Sequence, residues 1–228
     1  MFSNRPTSIK TRFNRVAAGI VLLVLSACAA PLVLVPVTPL LAGTLSSYSN
    51  DLETRKRIVE LQSRGDWAGL EQLALRQLEI NPTADEGLLL LGYSRLQVRK
   101  YAEAMEPLTQ MTKLHPEEIN GWNLLGEAQR LMGRHDQALR TLVHARSIDP
   151  SSSVSPFLIG EIYRDQGLLD RALIGYQQAV ELDPEMALAW YGLGVTLKRA
   201  GHKEELAKAM QVLQKLDAGM AAQLAKDN

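Results

Sequence analysis

A 34-residue internal repeat is the feature that most constrains how this chain folds. Prolines keep that step at Pro82, Pro116, Pro150 and Pro184, each directly after an Asn, His or Asp. Glycines keep it at Gly92, Gly126, Gly160 and Gly194, and alanines keep it at Ala104, Ala138 and Ala172. A sequence period of about 20 to 50 residues indicates stacked units, each too small to bury its own apolar face. The chain is therefore expected to form a repeat array.

Each repeat predicts two helices that pack closely. The four repeated glycines fall on the first helix, where a Gly costs about 1 kcal/mol of helix propensity. Close approach of the second helix must offset that cost, and we expect the repeated alanines to serve the same contact. A second set of glycines marks the predicted turn between the two helices, at helix C-cap positions: Gly65, Gly133, Gly167 and Gly201. The prolines then stop each second helix.

The residues at these positions resemble the tetratricopeptide repeat (TPR) motif. The third repeat carries Trp122, Leu125, Gly126, Ala138, Ala145 and Pro150, and the fourth carries Ile159, Gly160, Tyr163, Ala172, Tyr176, Ala179 and Pro184. The resemblance implies an all-α protein. It would be a right-handed α-solenoid of about five helical hairpins plus a C-terminal capping helix, preceded by an N-terminal membrane or signal segment.

The period also predicts where the chain divides. The predicted segments are a basic n-region with a hydrophobic signal or anchor (1–43), a linker (44–50), the TPR array (51–216) and a capping helix with a tail (217–228). The predicted repeats are 51–84, 85–118, 119–152, 153–186 and 187–217. The first and last repeats are the least regular, and the fifth has Leu206 for the small residue and Ala218 for the proline. We expect these two repeats to act as caps.

The first 43 residues are typical of an export or anchoring segment. Four basic residues and no acidic residue precede a stretch that is free of charge from Val16 to Asn50. In one interpretation, Leu25-Ser26-Ala27-Cys28 is a lipoprotein signal and Cys28, the only cysteine, is lipidated. Alternatively, residues 16–43 form a membrane helix, although three prolines crowd its second half, or the chain is cleaved after Ala29. In all three cases the basic end stays in the cytoplasm and the repeats are exported.

Composition and motifs argue against catalysis and nucleic-acid binding. The chain has 25 basic and 25 acidic residues, and because residues 1–28 hold four of the basic ones and no acid, the remainder is net acidic. A nucleic-acid binder normally presents a basic face. The four histidines, His115, His135, His144 and His202, have no metal-ligand partners at suitable spacing. No nucleophile elbow or phosphate loop occurs. We therefore predict no enzyme, cofactor, metal or small-molecule substrate.

In the TPR family, the first helices of successive repeats line a concave groove. Carried over residue by residue, the resemblance implies a partner-binding groove of Leu89, Tyr93, Asn120, Asn123, Glu127, Arg130, Phe157, Glu161, Arg164, Asp165, Tyr191, Val195, Lys198 and Arg199. Aromatic residues and Arg are enriched at binding hot spots. We expect Tyr93 and Tyr191 to face the groove, whereas Leu89 and Phe157 could equally pack between repeats.

One class of TPR ligand is excluded by these positions. TPR domains that capture chaperone C-terminal carboxylates use Lys, Asn and Arg in the groove. The corresponding positions here are Leu89, Tyr93, Asn123, Glu127, Leu124 and Leu158. Because that carboxylate clamp is absent, we expect a peptide or helix held by apolar pockets with polar edges.

The expected function is a protein-interaction scaffold tethered to the bacterial cell envelope. The chain resembles the envelope TPR lipoproteins that assist pilus, secretin or outer-membrane assembly, with a periplasmic TPR domain. Ala29, rather than Asp, follows Cys28, which in such lipoproteins points to the outer membrane. The alternatives are an inner-membrane-anchored TPR chaperone or scaffold, similar to cytochrome-maturation subunits, and a regulatory subunit of an enzyme complex. Protein partners and the membrane are the expected contacts.

Overall fold

Residues 52–226, which the computed structural model describes, form eleven α-helices and contain no β-strand. In chain order, the helices are α1 (Leu52–Ser63), α2 (Trp67–Ile80), α3 (Asp85–Gln97), α4 (Tyr101–Leu114), α5 (Ile119–Leu131), α6 (His135–Ile148), α7 (Val154–Asp165), α8 (Leu169–Leu182), α9 (Ala187–Ala200), α10 (Lys203–Leu216) and α11 (Ala218–Lys226). The expected signal or anchor segment (1–43), the linker (44–50) and the lipidation candidate Cys28 lie outside the described residues.

The helices pack in chain order as a solenoid. Each helix contacts its neighbour in sequence, so that α1 to α10 form five successive hairpins and α11 closes the C-terminal end. We call α1, α3, α5, α7 and α9 the first helices, and α2, α4, α6, α8 and α10 the second helices. The described residues thus have the all-helical, TPR-like architecture that the repeat predicts. Within them, no helix combines the length and apolar character needed to cross a bilayer.

The turn inside each hairpin has one recurring hydrogen-bond pattern. After α5, the Gly133 N–H donates to the Arg130 carbonyl over 2.8 Å, and the Arg134 N–H donates to the Gln129 carbonyl over 2.8 Å. This arrangement satisfies the last carbonyls of the helix and needs a left-handed residue, which is Gly133 with φ of +72°. The predicted turn glycines all have positive φ. In the second hairpin, Arg99 stands in the glycine's place with φ of +60°.

Three of the first-helix glycines, Gly92, Gly126 and Gly160, lie directly against large side chains of the second helices, and Gly194 lies against Leu224 of α11. A methyl group on Gly92 would come within 2.4 Å of Leu108 Cδ2, and one on Gly126 would come within 2.6 Å of Leu142 Cδ2. The predicted close approach is therefore confirmed. The side chains nearest to the first three of these glycines lie four residues beyond the repeated alanines. The alanines themselves are fully buried: Ala104, Ala138 and Ala172.

Two tryptophans join successive hairpins through the helix-stop prolines. The Trp122 indole N–H donates to the Pro116 carbonyl over 2.9 Å, and the Trp190 indole N–H donates to the Pro184 carbonyl over 2.9 Å. Each bond connects the start of a first helix to the turn before it. The third tryptophan, Trp67, begins α2 and packs edge-on against Tyr93 with 5.9 Å between ring centroids. The tryptophans therefore anchor the first, third and fifth hairpins.

Candidate functional site

The structure divides the predicted groove residues into a buried set and an accessible set. The buried residues are Leu89, Tyr93, Asn123, Glu127, Arg130, Phe157, Glu161 and Tyr191. The residues that are partly or fully exposed are Asn120, Asp165, Val195, Lys198 and Arg199, together with Arg164, whose side chain is only 9% exposed. Most of the expected groove therefore lies inside the array.

The first helices contact one another directly, which explains this burial. α5 packs on α7, and similar contacts join α3 to α5 and α7 to α9. In the α5–α7 contact, the Ser155 hydroxyl donates to Asn123 Oδ1 over 2.8 Å, and both side chains are buried. A residue on this side of a first helix is thus covered by the next first helix. Repeat spacing alone does not specify how close that next helix lies.

Tyr93 and Tyr191 correct the expectation that both rings face a partner. Tyr93 is buried beside Trp67, and this burial raises the pKa of its phenol despite a hydrogen bond with Gln97. Tyr191 belongs to a small core cluster with Leu213 and Leu224. Both aromatic residues therefore contribute to packing within and between hairpins, because the neighbouring helices cover their rings.

Five charged residues of α5 and α7 form what we call the charged ladder: Glu127, Arg130, Glu161, Arg164 and Asp165. On α5, Arg130 binds Glu127 through two hydrogen bonds, Nε to Oε2 at 2.7 Å and Nη2 to Oε1 at 2.8 Å. On α7, Arg164 Nη2 lies 2.5 Å from Glu161 Oε2. The same Glu-x-x-Arg pair thus recurs one repeat later.

The ladder also crosses between hairpins. The Arg130 guanidinium donates from Nη1 to Asp165 Oδ2, which ties α5 to α7. Within the fourth hairpin, the Tyr176 hydroxyl on α8 donates to Glu161 Oε1 over 2.5 Å. The Arg130 side chain is only 1% exposed, whereas that of Asp165 is 25% exposed. The ladder is therefore a buried network with one accessible edge.

Burial and charge pairing set the protonation of the ladder. Burial raises the pKa of Glu161, although Arg164 and Arg130 oppose that rise. Burial by itself would lower the pKa of Arg130, but Glu127, Glu161 and Asp165 together more than offset that effect, so the pKa is raised and the guanidinium stays charged. Burial, followed by Glu161, raises the pKa of Tyr176, which remains a hydrogen-bond donor. Three carboxylates face two guanidinium groups, so the fully ionised ladder has an excess negative charge.

The sequence carries a signal for part of this network, apart from the repeat positions. Glu127 and Arg130 stand three apart on a predicted helix, and Glu161 and Arg164 repeat that pair 34 residues later. Side chains at this spacing are neighbours on a helix surface. The cross-hairpin bond to Asp165 could not be predicted in this way, because it depends on how α5 and α7 stack. Within residues 52–226, no cluster of His, Cys, Asp and Glu suited to a metal ion occurs.

A family model and several solved structures resemble this chain. Residues 160–201 match the model described as TPR repeat. The thermophilic TPR protein TTC0263 from Thermus thermophilus is 22% identical, with a TM-score of 0.65 over 73% of this chain and 93% of that one. MamA from Desulfovibrio magneticus RS-1 is 18% identical, with a TM-score of 0.57 over 84% of this chain and 98% of that one.

A third similar structure is described as a TPR protein with an unusual peptide-binding site. This protein, YrrB, is 21% identical to the chain, with a TM-score of 0.53 over 73% of this chain and 87% of that one. None of the curated proteins compared with the sequence matches it. The structural similarities establish the fold. They show a TPR-like fold, and residues 160–201 in addition match the TPR repeat model.

Proposed function

We propose that this chain is a non-enzymatic scaffold that binds a protein partner along its first helices. The support is the accessible edge that remains once the buried residues are set aside. It consists of Asp165 on α7 and Lys198 and Arg199 on α9, while the Arg164 side chain beside them is only 9% exposed. Asp165 is held by its ion pair with Arg130, so it is positioned before any partner arrives, and preorganised groups lose less entropy on binding.

The partner proposed for this edge is a peptide or a helix that carries charged or polar groups. The scaffold role is supported by YrrB, a protein of similar fold that is described as having an unusual peptide-binding site. In the present chain, recognition would be largely electrostatic, because the aromatic residues expected in the groove are buried. Charged groups at the rim of an interface chiefly set the rate of association and the choice of partner.

The proposed setting is the bacterial cell envelope, with the TPR domain in the periplasm and Cys28 lipidated in the outer membrane. Its support is in the sequence alone: a basic n-region, an apolar run and a single cysteine at the end of that run. An inner-membrane helix over residues 16–43 is the alternative. Either anchor would hold the scaffold at a membrane surface, in the role of an assembly factor.

Charge reversal on the two faces of the array tests the binding proposal. Arg199 on the first helix α9 and Lys208 on the second helix α10 are both exposed. In full-length protein, Arg199→Glu is expected to reduce partner capture from envelope extracts by at least about tenfold, equivalent to 1.4 kcal/mol. Lys208→Glu is the matched control and should retain capture. A photoreactive residue at each position would then identify the partner. Equal capture by both variants would show that the partner does not bind along the first helices.

A further inference from the structure

The connection between α10 and α11 differs from every other connection between hairpins in residues 52–226. The other four links contain four or five residues, such as 183–186 between α8 and α9. Only Asp217 separates α10 from α11, and it has an extended backbone with φ of −152° and ψ of 99°. Short hinges of this kind favour exchange of the following element between copies of a chain.

The helix-stop proline is also missing at this link. Pro82, Pro116, Pro150 and Pro184 stand two residues after the ends of α2, α4, α6 and α8. The next position in this series is Ala218, which is the first residue of α11. Proline blocks helix continuation because it lacks an N–H and its ring clashes with the preceding turn. Alanine, the strongest helix former, removes that block.

The apolar pattern of α10 continues through the hinge into α11 without a break in phase. Counted as one helix, residues 203–226 place large apolar side chains three or four positions apart: Leu206, Met210, Leu213, Leu216, Met220 and Leu224. That spacing forms one stripe along a helix. The sequence therefore suits two structures, the hairpin observed here and a single straight helix.

The surface under α11 is specific for that helix. Leu224 lies against Gly194 of α9, where an added methyl would come within 2.4 Å of Leu224 Cδ2. Lys198 Nζ donates to the Leu224 carbonyl over 2.9 Å, at the end of α11 where free carbonyls attract a cation. Tyr191 and Leu213 complete the apolar pocket. Any second copy of the chain presents the same surface to a second α11.

We propose that α10 and α11 also form one continuous helix over residues 203–226, which places α11 on α9 and α10 of a second copy. Each of the two copies would then bind the α11 of the other copy in place of its own. The contacts of Leu224 and Lys198 would be kept, but they would join two chains. Because α11 makes the same contacts within one chain or between two chains, protein concentration and the hinge determine how much exchanged dimer forms. This self-exchange goes beyond the proposed scaffold function and does not depend on it.

Two hinge variants test the exchange in full-length protein by size-exclusion chromatography with light scattering. Ala218→Pro keeps the closed form, because proline suits the first residue of a helix and the extended Asp217 suits a following proline. Asp217→Ala removes the hydrogen bond from the Met220 N–H to Asp217 Oδ1 and favours the straight helix. We expect a concentration-dependent dimer in the wild type and more dimer in Asp217→Ala. Ala218→Pro should form at least about tenfold less dimer than the wild type, because proline disrupts a helix interior.

A cross-link between copies identifies the exchanged helix directly. In a Cys28→Ala background, one copy carries Lys198→Cys and a differently tagged copy carries Ala225→Cys, whose wild-type groups lie 3.4 Å apart from Lys198 Nζ to the Ala225 carbonyl oxygen. After mixing at high concentration, a short bis-maleimide should join the two tagged chains. Adding Ala218→Pro to both should abolish the product. Absence of the cross-link in the parent pair, or its persistence with proline, would overturn the proposal.

If the Ala218→Pro protein does not fold, a second variant provides the same test. Insertion of Gly-Gly after Asp217 lengthens the hinge, so it should lower the dimer fraction while circular dichroism retains the helical signal. An unchanged dimer fraction in a folded insertion variant would contradict the exchange. Partner capture through Arg199 should persist in these hinge variants, so the outcome of this test and that of the scaffold test can be told apart.

Discussion

The hydroxyl of Tyr176 on α8 donates a hydrogen bond to the buried carboxylate of Glu161 on α7, with 2.5 Å between Oη and Oε1. This bond connects the hydrophobic core of the fourth hairpin to the charged ladder. The ring of Tyr176 also fills the space beside Gly160, where a methyl group would come within 3.0 Å of the ring. One side chain therefore serves both the apolar and the ionic parts of the hairpin.

Tyr176→Phe is expected to destabilise the protein by about 1–3 kcal/mol, because it leaves a buried carboxylate oxygen without its donor while the ring packing is kept. Urea unfolding followed by circular dichroism measures the free energy of unfolding. Tyr163→Phe removes a hydroxyl from a partly exposed ring of α7 and is the matched control. If both variants lose the same stability, the bond to Glu161 contributes nothing specific.

Glu161 should make the stability of the array depend on pH in an unusual direction for a carboxyl group. Because burial raises its pKa in the folded protein, the folded state holds the proton more tightly than the unfolded chain. Its stabilising contribution is complete below the unfolded pKa, about 4.3, and is lost as pH rises through the folded pKa.

Glu161→Gln removes this titration. The free energy of unfolding of Glu161→Gln, minus that of the wild type, should therefore increase between about pH 4 and about pH 8. Urea unfolding across that range measures the difference. Glu117→Gln, at an exposed position before α5, controls for loss of one carboxylate. A difference that is constant, or that decreases with pH, would show that the ion pairs outweigh burial at Glu161.

Arg99→Gly is expected to stabilise the second hairpin by about 1 kcal/mol. Arg99 has φ of +60°, a left-handed conformation that costs a residue with a Cβ about 1–2 kcal/mol and glycine almost nothing. The reciprocal change, Gly133→Ala, should destabilise by a similar amount, since no atom within 4 Å would contact the new methyl and only the backbone is strained. Thermal unfolding of both variants measures these effects. A loss of stability in Arg99→Gly would mean that the arginine side chain contributes more than its backbone costs.

Lipidation of Cys28 is expected to give a chain that incorporates labelled palmitate in cells. Cys28→Ala should abolish the label, because Cys28 is the only cysteine in the sequence. Total protein detected with an antibody to the TPR domain controls for expression. A label that persists in the variant, or one that never appears in the wild type, would favour the inner-membrane helix or the cleaved product.

The repeat period predicted the helical pairing and the positive-φ turns, because both depend on residues that are local to each unit. Gly133 and Gly167 reveal a turn by their identity alone. The second hairpin has the same turn at Arg99, a residue type that gives no such signal. The surrounding hairpin imposes the left-handed conformation on Arg99. In the sequence, only the position of Arg99 within the 34-residue repeat indicates this turn.

Burial along the first helices could not be predicted in the same way. Tyr93 and Tyr191 lie at positions that the TPR resemblance assigns to the groove, yet both are buried. Whether a side chain there meets solvent depends on the distance and rotation between successive hairpins. A sequence period fixes neither quantity. The link from Arg130 to Asp165 depends on that same geometry, whereas the Glu127–Arg130 pair within one helix was readable from spacing.

The placement of the three tryptophans gives the array an intrinsic optical readout. Trp67, Trp122 and Trp190 lie in the first, third and fifth hairpins, and the last two are fixed by hydrogen bonds to Pro116 and Pro184. In stacked repeats, each unit is held mainly by its neighbours, so terminal units open first. Fluorescence from chains that retain one tryptophan each would therefore time the loss of structure at either end and at the centre, showing from which end the solenoid unravels.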